Sequence, residues 1–232
     1  MNYYGTEKYD RKISDLNDRI FSKIDFSEIE REKELENGYS VKYYDYADEE
    51  NCKPGWAPES GEICRLYHNE IMVFEWKNTD GKSRVANIIH HSDGNDYFVF
   101  DEDLYGYSVL NLNSMKSMHY IPAESYTEPA EEMQETFIWC DCFYDPETNL
   151  LAVDGCYWAG PADVIVLDFS DPLIPIEAEN WMDLSSECAV RNKNVGWIEF
   201  EQWKNTKMIC RVDDPAIEKL NIHGKVEVEF IQ

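Results

Sequence analysis

The period of the hydrophobic positions changes along this chain. Near the start, Tyr9, Ile13, Leu16, Ile20 and Ile24 recur at spacings of three and four with mainly polar residues between them. That is the stripe of an amphipathic helix, which must lie on something apolar. Ser27 followed by Glu30 has the form of a capping box, and Asn37-Gly38 supplies a left-handed stop. The pattern therefore predicts helices over 7–24 and 28–36. From Gly38 onward the alternation is that of strands, at Tyr39–Tyr46, Ile63–Tyr67, Ile71–Trp76, Arg84–His91, Tyr97–Asp101 and Tyr107–Asn113. A loop over 47–61, holding Pro54, Gly55 and Trp56, separates the first two.

The most regular stretch lies in the second half. Phe137–Phe143, Leu150–Trp158 and Val164–Phe169 read as three strands, with Asp145-Pro-Glu-Thr-Asn149 as turn chemistry and Ser170-Asp-Pro172 as a stop. The acidic, Pro-containing run 123–135 before it reads as a surface connection. Beyond Pro175 the pattern predicts a short helix around Trp181–Leu184, strands at Gly196–Trp203, Met208–Val212 and Lys225–Gln232, and a helical turn or two over Asp214–Leu220 with Pro215 in the first position. Strands that start about every 8 to 13 residues, with short turns between them, pair as antiparallel neighbours.

Tyr97-Phe-Val-Phe-Asp101 and Leu150-Leu-Ala-Val-Asp154 match in pattern, each followed by a loop and another strand. Over residues 84–175 this repeated unit resembles the hairpins of β-propeller blades, without the Gly-His and Trp-Asp pairs of WD repeats or the double glycine of kelch repeats. Once the helices are set aside, roughly 195 residues remain, four blades at the usual period and fewer than most closed propellers use. The expected fold is mainly β (a β-rich α+β chain): an antiparallel meander forming a sandwich or an open propeller-like sheet stack, with two N-terminal helices. Residues 1–37 form the helical segment packed on the sheet, and residues 38–232 form a single β-rich domain.

Charge narrows the range of partners. With 21 basic against 47 acidic side chains the formal charge is −26, a field that repels nucleic acid and anionic lipid and favours basic proteins. No run of about 18 apolar residues appears. Seven cysteines, at 52, 64, 140, 142, 156, 188 and 210, follow no disulfide framework, so reduced thiols in a cytoplasmic protein are expected.

Candidate chemistry is sparse. If Cys142 pairs with Ala152, then Cys140 faces Asp154 and Ile138 faces Cys156, a grouping with some zinc-ligand character but no Cys-x-x-Cys knuckle and no neighbouring His; no metal or other cofactor is expected. Adjacent His90 and His91 point to opposite faces of a strand, which suits a structural or surface role. Motifs for nucleotide, dehydrogenase and common hydrolase chemistry are missing. The two repeat loops combine acids with rings: Asp101, Glu102, Asp103 and Tyr105 in one, Asp154, Tyr157 and Trp158 in the other. Carboxylate beside aromatic suits a cationic or carbohydrate ligand, through charge pairing and cation–π or stacking contacts; the plainer reading is that the aspartates tie down turns and the rings pack inward. Two functions follow as expectations. One is an acidic protein-binding module for a basic partner, similar in kind, by composition, to the immunity proteins that neutralise bacterial toxins. The other is a glycan- or phosphoester-acting hydrolase using Asp101, Asp141 or Asp154.

Overall fold

Four sheets of four strands, stacked face to face, make up the body of the computed structural model, which describes residues 1–128, 133–190, 195–213, 220–222 and 226–231. Sheet 1 holds β1 (Arg31–Glu34), β2 (Tyr39–Ala47), β3 (Ser60–His68) and β4 (Ile71–Asn78). Sheet 2 holds β5 (Ala86–His90), β6 (Asp96–Phe100), β7 (Tyr107–Asn111) and β8 (Ser117–Tyr120). Sheet 3 holds β9 (Ile138–Asp145), β10 (Leu150–Cys156), β11 (Ala162–Asp168) and β12 (Met182–Asp183). All three are antiparallel meanders, in which each strand pairs with the next one in the chain. Sheet 4 contains β13 (Ile198–Lys204), β14 (Lys207–Val212), β15 (Leu220–Ile222) and β16 (Val226–Ile231) in the order β13-β14-β16-β15. There β16 enters between β14 and β15 and runs parallel to β14, a pairing that the meander pattern did not predict.

Alternation along each strand decides which core it feeds. Val41, Tyr43, Cys64, Leu66 and Trp76 of sheet 1 meet Phe98, Phe100 and Leu110 of sheet 2. The opposite face of sheet 2, with Tyr97, Val99, Tyr107 and Val109, meets Trp139, Leu151, Val153, Ile165 and Leu167 of sheet 3. Leu150, Ala152, Val164 and Val166 then meet Ile198, Met208, Cys210, Val226 and Val228 of sheet 4. Sheets 2 and 3 are thus buried on both faces, which is why β6, β10 and β11 read as unbroken apolar runs. Among the described residues no core cluster joins sheets 1 and 4, so the stack is open. The repeated motifs occupy equivalent places, as the second strands of sheets 2 and 3.

The N-terminal segment covers the free face of sheet 1. Helix α1 (Glu7–Arg19) starts at Thr6, whose hydroxyl accepts the Tyr9 amide at 3.2 Å, and a 3₁₀ turn (Phe21–Lys23) follows it. Leu16, Ile20, Phe21 and Ile24 pack on Tyr44 and Ile63, while Tyr3 and Tyr9 pack on Ile121. The helix expected over 28–36 is instead β1, followed by a 3₁₀ turn (Glu36–Gly38). Its Arg, Glu and Lys residues have good helix propensity, but pairing with β2 and alternate burial override it. Arg31 lies 3.4 Å over the Tyr43 ring and pairs with buried Glu62 at 3.0 Å, while charged side chains on this edge strand oppose further pairing. Near Trp181 the order is a 3₁₀ turn (Ala178–Asn180), β12 and α2 (Leu184–Val190). The helical turns expected over 214–220 fall mainly outside the described residues.

Candidate functional site

Both repeat loops open on one cleft of about 640 Å³. Its lining comes from α1 and the residues before it (Tyr3, Lys8, Lys12), the β4–β5 connection (Thr79, Asp80), the β6–β7 loop (Asp103, Leu104, Tyr105), the connection into β9 (Ser125–Glu128, Met133, Glu135) and the β10–β11 loop (Trp158). The β6–β7 loop closes at Gly106, whose φ of +91° and close approach to Tyr120 leave no room for a Cβ.

Aromatic rings make the walls. Tyr3 and Tyr126 stack at 4.6 Å, Tyr105 meets Tyr126 edge-on at 6.4 Å, and Trp158 is 66% exposed at the rim. At the base, Asp103 accepts from Lys12 Nζ at 2.7 Å, the Leu104 amide at 2.8 Å, the Thr79 hydroxyl and the Tyr126 hydroxyl. The Lys12 ammonium also stands 4.9 Å over the Tyr126 ring. Burial and then Asp103 hold the Tyr126 phenol above its ordinary pKa. Asp80 pairs with Arg84 at 2.5 Å and Glu128 with Lys8 at 3.2 Å. Glu135 is exposed and makes no ion pair or hydrogen bond to a described residue; with burial, it raises the Tyr105 phenol.

The seven residues singled out from the sequence divide three ways. Asp103, Tyr105 and Trp158 line the cleft. Asp101 is fully buried: it accepts the Ser83 hydroxyl at 2.5 Å, the Arg84 and Val85 amides and the Asn78 side chain, and burial lifts its carboxyl to about 6. Glu102 is buried with Ser108 and His119, each at 2.6 Å. Asp154 accepts the Phe200 amide at 2.8 Å, beside the bulge in β13, and so ties sheet 3 to sheet 4. Tyr157 is part-exposed; its hydroxyl donates to Asp183 at 2.8 Å and its ring meets Phe137 edge-on.

Lys12, Tyr3, Tyr126 and Glu135 went unsuspected, because they lie on a helix stripe and in polar connections whose convergence is purely tertiary. A further constellation, also unsuspected, links Glu102 to His119 Nδ1 at 2.6 Å and His119 Nε2 to the Ser117 hydroxyl at 2.8 Å. Its order is that of an acyl-transfer relay, but Ser117 and His119 stand outside the cleft lining. The imidazole stacks on Tyr4 at 4.4 Å and the His119 carbonyl accepts from Asn2, so this group fastens the N-terminal segment to β8.

The cysteine register differs from the expected one. Cys142 pairs with Val153 and Asp141 with Asp154; a bulge then leaves Cys140 as the extra residue, and Gly155 faces Trp139. Any Cβ at Gly155 would collide with the Ile138 carbonyl, so the bulge depends on glycine. Cys140 is therefore not the ladder partner of Asp154 while Cys142 points into the core, none of the seven cysteines forms a disulfide, and among the described residues no group of three or more His, Cys, Asp or Glu is placed to hold a metal. His91 is buried on the Phe169 carbonyl at 3.0 Å, whereas His90 is exposed between Asp96 and Glu36.

No family model matches the chain and no curated protein matches it. Among solved structures it is similar to a quinonprotein alcohol dehydrogenase-like protein from Bacteroides thetaiotaomicron, at 10% identity and a TM-score of 0.24, over 66% of this chain and 45% of the other. The chain thus spans less than half the length of that structure, and a likeness at this score carries no argument about activity.

Proposed function

We propose that this chain is a non-enzymatic, immunity- or inhibitor-type module of the cytoplasm that binds a basic protein at the cleft. One observation carries the reading: Trp158, 66% exposed, stands at the rim of an aromatic-walled cleft with acidic residues on a chain of formal charge −26. Exposed tryptophan is the side chain most suited to anchor an interface, and a strong net charge steers an oppositely charged partner. No helix of the described residues is long and apolar enough to cross a membrane. The hydrolase reading has less support, since Asp101, Asp141 and Asp154 are absent from the cleft lining.

Capture of partners from the native cell by the wild-type chain and by Trp158→Ala tests the proposal. The wild type should retain a basic protein, association should slow as salt rises, and the variant should release that protein at least tenfold faster while melting at the wild-type temperature. An acidic partner, or equal retention by the two chains, overturns it.

A further inference from the structure

Most of the acidic groups in the cleft are matched from within the chain. Of the cleft's four carboxylates, three already meet a cation of the same chain: Asp103 meets Lys12, Asp80 meets Arg84 and Glu128 meets Lys8. The first of these is the most complete. Lys12 reaches in from α1, sets its ammonium 2.7 Å from a carboxylate that is nearly inaccessible to solvent, and lies over the face of Tyr126 at 4.9 Å. Carboxylate plus ring face is the pairing that recognises an ammonium, through charge and through the ring quadrupole.

The same cleft holds the ingredients once more without the cation. Glu135, Tyr105, Met133 and exposed Trp158 also line it, Glu135 acts electrostatically on Tyr105 and Tyr157, and it makes no ion pair with any described residue. An exposed glutamate keeps its hydration, so by itself it marks nothing; the tryptophan and methionine that line the same cleft give a lysine stem an apolar surface to lie along. Resting on the binding-module reading, we infer that this part of the cleft takes a lysine side chain of the basic partner, its ammonium on Glu135 and its methylenes along Trp158, in addition to the subsite that Lys12 fills from within. A lysine is favoured over an arginine because the filled subsite holds a single point donor and no planar fork.

The test uses the intact chain, labelled with nitrogen-15, and three probes: Nα-acetyl-lysine N-methylamide, the same compound acetylated on its Nε, and the corresponding arginine analogue. Titration to about 50 mM, a range that suits one isolated side chain, should shift the Trp158 indole resonance with the ammonium probe and leave it still with the acetylated one. Glu135→Gln, at an exposed position, should fold as the wild type does and bind the ammonium probe several-fold more weakly. Equal response to the ammonium and acetylated probes, an unchanged affinity in Glu135→Gln, tighter binding of the arginine analogue, or shifts confined to other regions would each overturn the inference. The two readings fail separately. A basic partner that depends on Trp158 but is indifferent to Glu135→Gln leaves the module standing and removes the lysine subsite.

Discussion

Replacing Asp154 by Asn should make the protein more stable at neutral pH, and by an amount that depends on pH. Asp154 accepts one hydrogen bond, from the Phe200 amide, and an asparagine oxygen can accept it equally. The carboxylate is held in poor surroundings: burial is the chief cause, Asp141 and Glu199 add to it, and together they lift its pKa to about 6. Against an ordinary aspartate near ~3.9, that rise corresponds to about 3 kcal/mol if the group were wholly buried. Asp154 is only partly buried, so solvent screening reduces the figure to roughly 1–2 kcal/mol. Because folding raises this pKa, protonation favours the folded state. The stabilisation from this group is complete below the unfolded value and is lost as pH climbs through about 6. Urea unfolding at pH 7.5 and at pH 5.0, the latter still above the pI of about 4.4, measures the difference. The Asp154→Asn variant should lead the wild type by roughly 1–2 kcal/mol at the higher pH and by about half as much at the lower. A variant less stable at pH 7.5 refutes the argument and means that the charge itself holds sheet 4; the same lead at both values refutes it too, because the gain then does not come from titration of this group.

Other consequences concern the N-terminal segment and the base of the cleft. Ile20 is fully buried between α1 and sheet 1, so Ile20→Ala should cost about 2–4 kcal/mol; an unchanged melting temperature, or one unaltered by deleting residues 1–25, would make the segment an independent appendage. Lys12→Met should cost about 1–3 kcal/mol, because it leaves the Asp103 carboxylate buried without its cation, and adding Asp103→Asn should recover much of that loss. Additive losses in that double-mutant cycle, read from denaturant midpoints, would show that the two side chains act independently.

Local pattern was enough for most strands. Those feeding the cores are long apolar or alternating runs with turn residues at their ends, and that signal lies in neighbouring residues. The short edge strands were missed for the same reason: β1 is charged, β12 has two residues, and β8 is half polar, so pairing with a neighbour is what makes them strands. The cysteine register was displaced by a single bulged residue, which no alternation rule reports. In the candidate site, acids and rings in the two repeat loops pointed to one end of sheets 2 and 3, because equivalent loops leave equivalent strands. Which side chains face the cleft could not be read there. Asp101 and Asp103 are two residues apart in one acidic loop, yet the first turns to the amides of Arg84 and Val85 and the second to Lys12.

By itself, then, the sequence determined the β-rich class, the repeat of Tyr97–Asp101 in Leu150–Asp154, the acidic charge balance and the amphipathic helix, since each is a property of composition or of short-range periodicity. Tertiary structure alone decided that the sheets stack openly, that β16 runs parallel to β14, and that Tyr3, Lys12, Tyr126, Glu135 and Trp158 share one cleft. Those residues are far apart in the chain, and what brings them together is burial of the free face of sheet 1 under α1 and of sheets 2 and 3 against each other, a choice made by the sum of apolar contacts rather than by any local motif.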